Sequence, residues 1–246
     1  MVHLGFDVGG SSIKGAPVDV ASGRLAEPPV SLATPQPSTP AAVAAAIQQL
    51  ASRFPGPGSV GIAFPSVIKK GIMRTAANID AGWIDADGER IIGAALGRPL
   101  VLLNDGDAAG IAEMKLGAGR GRNGTVIMLT FGTGIGSALF VDGRLLPNTE
   151  LGHLEVGGRE AEHFASGRVR TDENLDWRQW ADRVNTVLAT FDALLWPDLF
   201  IIGGGVTGSY EQFGQLLRSR AEIVPAQFRA HAGIVGAALA AAERGG

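Results

Sequence analysis

Two glycine-rich segments lie about half the chain apart and share one pattern. In each, an apolar run ends on a polar residue, glycines and hydroxyl side chains follow, and a second apolar run begins; the segments are residues 4–15 and 128–137. Each second run leads to a reverse-turn signal, Ala21-Ser22-Gly23 in the first copy and Asp142-Gly143 in the second, where Asp-Gly suits a type I′ turn. The pattern predicts two β-hairpins of one design.

Glycine-rich turns of this kind are typical of phosphate-binding sites, because backbone N–H groups approach the anion with no Cβ in the way. Two such hairpins facing each other would hold a polyanion from both sides, which predicts a phosphotransferase cleft. Lys14 either points into that cleft or is a solvated strand lysine. The predicted phosphate and donor ligands of the two segments are Gly9, Gly10, Ser11, Ser12, Lys14, Thr130, Gly132, Thr133 and Gly134.

Asp7 ends the first apolar run and precedes the glycines. A carboxylate there can hold Mg²⁺, directly or through water, beside the bound phosphates. The alternative is an aspartate that caps its own turn. The second copy of the pattern favours phosphate binding, and Asp7 is therefore the predicted metal ligand.

Composition narrows the class of protein. The chain has 246 residues, 46% hydrophobic and 18% charged, which indicates a folded protein of one large domain or two lobes. A net charge of −3 gives no overall case for nucleic-acid binding. Cysteine is absent, which excludes disulfides and thiolate metal sites. We see no signal peptide and no apolar run of membrane-spanning length, and we expect a soluble, cytoplasmic protein.

Helical and strand patterns alternate along the chain. Amphipathic or apolar patterns predict helices near 40–53, 106–116, 175–195 and 232–244, and buried strands at 60–64, 100–103 and 199–202. Thr39 and Pro40 suit the N-cap and first residue of the first helix, which Pro55-Gly56-Pro57-Gly58 should end, and residues 68–85 look like an irregular loop lining the cleft. We expect an α/β fold with two duplicated lobes, 1–105 and 106–231, and a last helix within 232–246 that packs back on the first lobe.

Asn104-Asp105 follows a buried strand, and Asp107 lies two residues further on. Ligands of open α/β sheets collect at the carboxyl ends of strands. A partly desolvated carboxylate there can take a proton from a substrate hydroxyl as it attacks phosphorus. The alternative is that one of these aspartates caps the next helix. We assign capping to Gly106 or Asp107 and the general base to Asp105.

A loop after the second hairpin carries Glu150 and His153, and Glu162 follows. Carboxylates there suit the vicinal hydroxyls of a sugar. A metal site has less support, since the loop lacks the His-Glu-x-x-His pattern, and a purely structural loop is the other alternative. Gly203-Gly204-Gly205 after a buried strand resembles a nucleotide-binding turn, but fits neither Rossmann nor Walker A spacing.

Together these segments resemble the ROK family of sugar kinases, a branch of the actin-like ATPase-fold superfamily, over essentially the whole chain. The resemblance implies that Asp105 deprotonates the 6-hydroxyl of a hexose. It also implies that Gly204 and Gly205 contact the adenosine side of a nucleotide donor. The residues that it implies for the sugar are Asn78, Asn104, Asp105, Glu150, His153 and Glu162.

One departure from the family matters. Most members carry a cysteine-rich zinc loop after the histidine that corresponds to His153, and residues 157–166 replace it here. We therefore predict no zinc site and expect packing to orient His153. The missing loop, Trp83 and residues 34–37, 74–78 and 147–153 are similar to the polyphosphate-using branch of the family.

That branch implies phosphorylation of glucose, with mannose as a further acceptor, from inorganic polyphosphate with ATP as a second donor, Mg²⁺ as cofactor and a homodimer as the assembly. The main alternative is an ATP-only hexose or amino-sugar kinase. A sugar-sensing regulator is less favoured, because the first glycine segment starts near residue 4 and leaves no room for a helix-turn-helix. An actin-like, polymer-forming ATPase is disfavoured by the sugar-loop carboxylates.

Overall fold

The structure is a computed structural model that describes residues 1–56 and 58–244. The strands are β1 Val2–Val8, β2 Ser12–Asp19, β3 Arg24–Leu25, β4 Val30–Ala33, β5 Val60–Phe64, β6 Ile68–Lys69, β7 Ile72–Met73, β8 Leu100–Asn104, β9 Thr125–Phe131, β10 Ile135–Val141, β11 Arg144–Leu146, β12 Glu155–Val156, β13 Arg159–Glu160, β14 Leu199–Gly203 and β15 Glu222–Pro225. The helices are α1 Pro40–Ala51, α2 Gly88–Leu96, α3 Asp105–Leu116, α4 Ala161–Ala165, α5 Gly167–Asp172, α6 Trp177–Leu195, α7 Tyr210–Phe213 and α8 Ala232–Arg244.

Residues 1–112 and the C-terminal segment from His231 form the first compact unit. Its sheet has the order β3-β2-β1-β5-β8, antiparallel from β3 to β1 and parallel from β1 to β8, with β4 pairing on β2. Helix α8 packs on β1 and β5. Gly5 and Gly61 permit this close approach, because a Cβ on either would collide with the α8 backbone.

Some elements of the first unit could be predicted from local sequence signals, and others could not. Thr39 caps α1 by accepting a hydrogen bond from the N–H of Ala42 (3.4 Å), and Pro40 is the first helical residue, which confirms the predicted start. Helix α2 was not predicted. The expectation of an irregular loop at 68–85 is wrong in part, because β6 and β7 form a hairpin whose turn residues Lys70 and Gly71 both have positive φ. Pro57, part of the predicted helix stop, lies outside the described residues.

Residues 113–230 form the second compact unit. Its sheet has the order β11-β10-β9-β14-β15, with the same sequence of antiparallel and parallel pairings as in the first unit. Asp142 and Gly143 both have positive φ, as a type I′ turn requires, which confirms that prediction. The long helix α6 begins at Trp177 behind a capping box formed by Asp176 and Gln179, two residues later than predicted.

The two units therefore repeat one topology, and the predicted α/β fold with two duplicated lobes is confirmed. The division between the units falls inside α3 rather than ahead of it at residue 105. Within the described part of the chain, no helix combines the length and apolar character that a membrane span needs.

Candidate active site

The first glycine turn joins β1 to β2 and is held from outside the hairpin. The N–H of Gly9 donates to the carbonyl of Ser12 (2.9 Å), which closes the turn. The Thr34 hydroxyl donates to the carbonyl of Gly9 (2.6 Å), and the Gln36 side chain donates to the carbonyl of Gly10 (3.3 Å). Side chains of the segment 34–36 therefore help to fix the shape of the turn.

Asp7 stands one residue before the end of β1, half-buried and directly across from Lys14 on β2. Burial raises the pKa of Asp7, and the positive charge of Lys14 acts in the opposite direction. The first turn of α8 covers this carboxylate so closely that a Cβ on Gly233 would lie 2.8 Å from the Asp7 Cγ. A helix N-terminus favours a nearby anion. An ionised carboxylate oxygen is a ligand that Mg²⁺ prefers, so Asp7 fits the expected cation.

Asn78 lies beside the same turn. A Cβ on Gly10 would stand 2.8 Å from the backbone carbonyl oxygen of Asn78, so glycine is required for this approach. The Asn78 side chain is exposed. The structure thus brings one of the residues predicted for the sugar next to residues predicted for the donor.

Asn104 and Asp105 form the junction between β8 and α3. The Asn104 side chain, 6% exposed, accepts a hydrogen bond from the N–H of Asp107 (3.1 Å) and donates to the carbonyl of Ser66 (3.2 Å). Asn104 therefore caps α3, and the assignment of the cap to Gly106 or Asp107 is wrong. A cap accepts with its own side chain, which must precede the first free N–H groups of the helix.

Asp105 is the first residue of α3 and is half-buried. Its Oδ1 accepts a hydrogen bond from the N–H of Gly106 (2.8 Å). Because β1, β5 and β8 run parallel, their carboxyl ends share one edge of the sheet, and Asp105 follows the last of them. A partly buried carboxylate at such an edge suits a general base.

The second glycine turn joins β9 to β10. The N–H of Gly132 donates to the carbonyl of Gly134 (3.0 Å), and the N–H of Arg168 donates to the carbonyl of Gly132 (2.9 Å). The N–H of Ile135 donates to the Glu162 carboxylate (3.4 Å). Glu162 lies so close that a Cβ on Gly134 would collide with it. A sugar-loop candidate and a phosphate-turn candidate are therefore neighbours in the second unit.

The triple glycine lies beside this turn. Gly203 ends β14 opposite Thr130 of β9, and Gly204 has a φ of 85° and packs on the backbone of Phe131. Gly205 then begins a 3₁₀ turn, Gly205–Ser209, rather than an α-helix. Only glycine fits at Gly204, since both the dihedral and the close contact exclude a side chain.

The loop that carries Glu150 is fastened to β10. The Ser137 hydroxyl donates to the carbonyl of Thr149 (2.6 Å) and accepts from the N–H of Leu151 (3.0 Å). Gly152 packs against the carbonyl of Ile135, where a Cβ would collide. Burial raises the pKa of Glu150. In the Glu-x-Gly-His pattern, the glycine therefore allows close packing, and the glutamate and histidine supply the polar groups.

His153 is surrounded by carboxylates. Its Nδ1 lies 3.0 Å from Oε2 of Glu160 and 4.0 Å from Oε1 of Glu162, and its Nε2 lies 3.8 Å from Oε2 of Glu150. The hydrogen bond with Glu160 is the main cause that raises the pKa of His153. The expectation that packing orients this ring is therefore wrong, because 48% of the side chain is exposed and the close partner is a carboxylate.

Glu160 was not among the predicted site residues. It lies on the hairpin of β12 and β13, whose turn is Gly157-Gly158, with positive φ at both positions. Gly-Gly is a hairpin-turn dipeptide, and it could have indicated the hairpin that carries Glu160 from the sequence. His153, Glu160 and Glu162 each offer one ligand atom within 4.8 Å of the others, so they could hold a metal ion, without the thiolates of a structural zinc site.

Known proteins resemble this chain over most of its length. The ROK family profile matches residues 3–170. Polyphosphate glucokinase of Mycobacterium tuberculosis (strain CDC 1551 / Oshkosh) is 48% identical over 238 residues, which cover 96% of this chain and 90% of that protein. Polyphosphate glucokinase of Mycobacterium leprae (strain TN) is 46% identical over 241 residues, 97% of this chain and 74% of that protein.

Solved structures are similar along the whole chain. Inorganic polyphosphate/ATP-glucomannokinase from Arthrobacter sp. strain KM superposes with a TM-score of 0.95 at 42% identity and 99% coverage of both chains. A ROK family glucokinase from Streptomyces griseus, solved with glucose and AMPPNP, gives a TM-score of 0.84 at 25% identity, covering 99% of this chain and 100% of that one. These neighbours have the two-lobed actin-like ATPase fold. This chain is a member of the ROK family.

Proposed function

We propose that this chain transfers the terminal phosphoryl group of inorganic polyphosphate to the 6-hydroxyl of glucose, with ATP as a second donor and mannose as a further acceptor. The observation that carries the proposal is Asp105 at the carboxyl end of β8, in a chain 48% identical to a polyphosphate glucokinase over nearly its full length. Mg²⁺ is the proposed cofactor.

Asp105 is the proposed general base. It accepts the proton of the sugar 6-hydroxyl as that oxygen attacks the terminal phosphorus, while the bond from phosphorus to the bridging oxygen breaks and the shortened donor leaves with the electron pair. Asn104 supports this role because it caps α3 and so fixes the backbone at Asp105. The bond from Gly106 to Oδ1 sets the carboxylate orientation.

The sugar is held, in this proposal, by carboxylate, amide and imidazole groups. Hydroxyls of the ring donate to ionised carboxylates, and such charge-assisted bonds are stronger than neutral ones. The fastening of the Glu150 loop to β10 supports its assignment to sugar binding. The full proposed set is Asn78, Asn104, Asp105, Glu150, His153 and Glu162.

The donor is held, in this proposal, by the two glycine turns and the residues next to them. Mg²⁺ bound at Asp7 would supply positive charge to the phosphates and to the group in transfer. The position of Gly204 beside the second turn supports its contact with a nucleotide donor. The proposed donor set is Asp7, Gly9, Gly10, Ser11, Ser12, Lys14, Thr130, Gly132, Thr133, Gly134, Gly204 and Gly205.

A matrix of donors and sugars tests this function. Purified protein with Mg²⁺ is assayed for sugar 6-phosphate with polyphosphate or ATP, against glucose, mannose and an N-acetylated amino sugar. We expect product from glucose with both donors, a lower rate with mannose and none after chelation of Mg²⁺. Activity with ATP alone would replace the proposal by the ATP-only kinase, and no product with any pair would overturn it.

The assembly and location belong to the same proposal. By resemblance to the family we propose a cytoplasmic homodimer that binds neither nucleic acid nor membranes. Light scattering coupled to size-exclusion chromatography measures the mass in solution against the 25.4 kDa chain. A mass of one chain at assay concentration would contradict the dimer but would leave the proposed kinase activity unaffected.

A further inference from the structure

We propose that Glu160 is a positioning residue, which fixes the tautomer and orientation of the His153 ring so that Nε2 meets a sugar hydroxyl. The inference rests on the proposed function and deepens it, because His153 is one of the proposed sugar ligands. Glu160 itself is assigned no contact with substrate.

Glu160 and His153 are joined by a hydrogen bond. Glu160 Oε2 lies 3.0 Å from His153 Nδ1, well within hydrogen-bond distance. An ionised carboxylate only accepts, so the proton must be on Nδ1 whether the ring is neutral or charged. The bond also lowers the pKa of Glu160, which keeps its carboxylate in the accepting form. The ring is therefore held as the Nδ1–H tautomer.

With the proton on Nδ1, the other ring nitrogen of His153, Nε2, is available to the sugar. Nε2 of His153 lies 3.8 Å from Oε2 of Glu150, beyond direct hydrogen-bond reach but close enough for a hydroxyl oxygen to lie within reach of both. In the neutral ring Nε2 accepts a hydroxyl proton, and in the charged ring it donates. The opposite tautomer would place a fixed N–H there in the neutral ring and reverse the polarity of the contact.

Backbone hydrogen bonds fix the position of Glu160. It pairs with Glu155 across the hairpin of β12 and β13, and the N–H of Ala161, the next residue, donates to the carbonyl of Leu154 (2.9 Å). Nδ1 of His163 lies 3.6 Å from the same Oε2, longer than the bond to His153. The hairpin therefore directs the Glu160 carboxylate at the His153 ring. Carboxylates that accept a hydrogen bond from one ring nitrogen are known to orient histidines that bind a ligand through the other.

A plain surface ion pair is the competing explanation. Both side chains are more than 40% exposed, and exposed pairs contribute little to folding. That explanation predicts that loss of Glu160 leaves the kinetics unchanged. Positioning predicts a specific loss of glucose affinity and a change in the ring tautomer, so the two are separable.

The experiment compares Glu160→Ala and Glu160→Gln with the control Glu155→Ala, which removes the facing carboxylate of the same hairpin. Steady-state kinetics with varied glucose are paired with ¹⁵N NMR of the histidine rings, assigned with His153→Gln. For Glu160→Ala we expect KM for glucose to rise about tenfold with a much smaller change in kcat and in KM for polyphosphate. The neutral ring should lose the Nδ1–H signature.

Glu160→Gln should recover most of the affinity, because its amide oxygen still accepts from Nδ1. An unchanged tautomer and KM in Glu160→Ala, or an equal rise of KM in Glu155→Ala, would overturn the positioning role while the kinase activity stands. If the wild-type protein phosphorylates no sugar, the proposed function fails, and the NMR comparison still shows whether Glu160 holds the ring.

Discussion

The two units share one sheet topology but differ in the side chains at the carboxyl ends of equivalent strands. In the first unit Asp7 stands one residue before the end of β1, and Asp105 follows β8. In the second unit the equivalent positions carry Thr130 and Ala226. The duplicated backbone supplies two glycine turns, whereas the carboxylates proposed to bind a cation and to accept a proton both lie in the first unit. Topology therefore sets where chemistry can occur, and single side chains set which chemistry it is.

The two turns also differ in the groups that donate hydrogen bonds to their carbonyls. Side chains of Thr34 and Gln36, 25 and 26 positions along the chain, bind the carbonyls of the first turn. The backbone N–H of Arg168 binds a carbonyl of the second. A side-chain substitution can therefore release the first turn from its support, but leaves the Arg168 bond of the second in place.

The largest effect is expected from Asp105→Asn, which removes the proposed base and keeps the shape of the side chain. Loss of a general base lowers kcat by about 10²–10⁴. Initial rates at saturating glucose and polyphosphate measure this fall in kcat. Asp87→Asn is the matched control, since Asp87 caps α2 and asparagine also caps. Near-normal turnover of Asp105→Asn would contradict the proposal that the first unit supplies the general base.

Exchange of the equivalent residues tests the comparison directly. Asp7→Thr gives the first turn the side chain of the second and should lower kcat by about 10², the scale for one lost electrostatic contact. The Mg²⁺ concentration needed for half-maximal rate should rise. Thr130→Asp serves as the reciprocal variant and should not restore activity to Asp7→Thr. Equal Mg²⁺ dependence in wild type and Asp7→Thr would show that the cation is held elsewhere.

A smaller effect is expected from release of the first turn. Thr34→Val keeps the volume and removes the hydroxyl that binds Gly9, which should destabilise the fold by about 1 kcal/mol. KM for polyphosphate should rise more than KM for glucose, because the turn belongs to the proposed donor site. Denaturant unfolding and kinetics measure both, with Thr190→Val as a control hydroxyl bonded within α6. A selective change in KM for glucose would contradict the assignment.

The smallest effect concerns a histidine of the first unit whose setting is opposite to that of His153. His3 is 7% exposed, and among the described residues its ring nitrogens have no hydrogen-bond partner. Burial lowers the pKa of His3 below 6.5, with the N-terminal charge acting in the same direction. The unfolded chain therefore binds the proton first, and the free energy of unfolding should fall as pH drops below about 6.5.

The control for this prediction is His3→Phe, which removes the titrating group and keeps an aromatic ring. Its unfolding free energy between about pH 5 and pH 7 should vary less than that of the wild type. The same slope in both proteins would mean that other groups cause the acid sensitivity.

Much of the fold could be predicted because its signals are local. Thr39-Pro40, Asp142-Gly143 and the apolar strand at 199–202 each set backbone dihedrals or burial within a few residues. The repetition of the glycine pattern then indicated the duplication. The missed hairpin at residues 155–160 had a local signal of the same kind in Gly157-Gly158.

The sequence by itself determined the two hairpins, the α/β class and the family, because periodicity and turn chemistry act between near neighbours. Only the tertiary structure decided that Asn104 caps α3, that Thr34 holds the first turn and that Glu160 faces the His153 ring. Which of several nearby polar groups accepts a given proton depends on distances of a few tenths of an ångström. Those distances are set by packing of the whole unit, and spacing along the chain does not contain them.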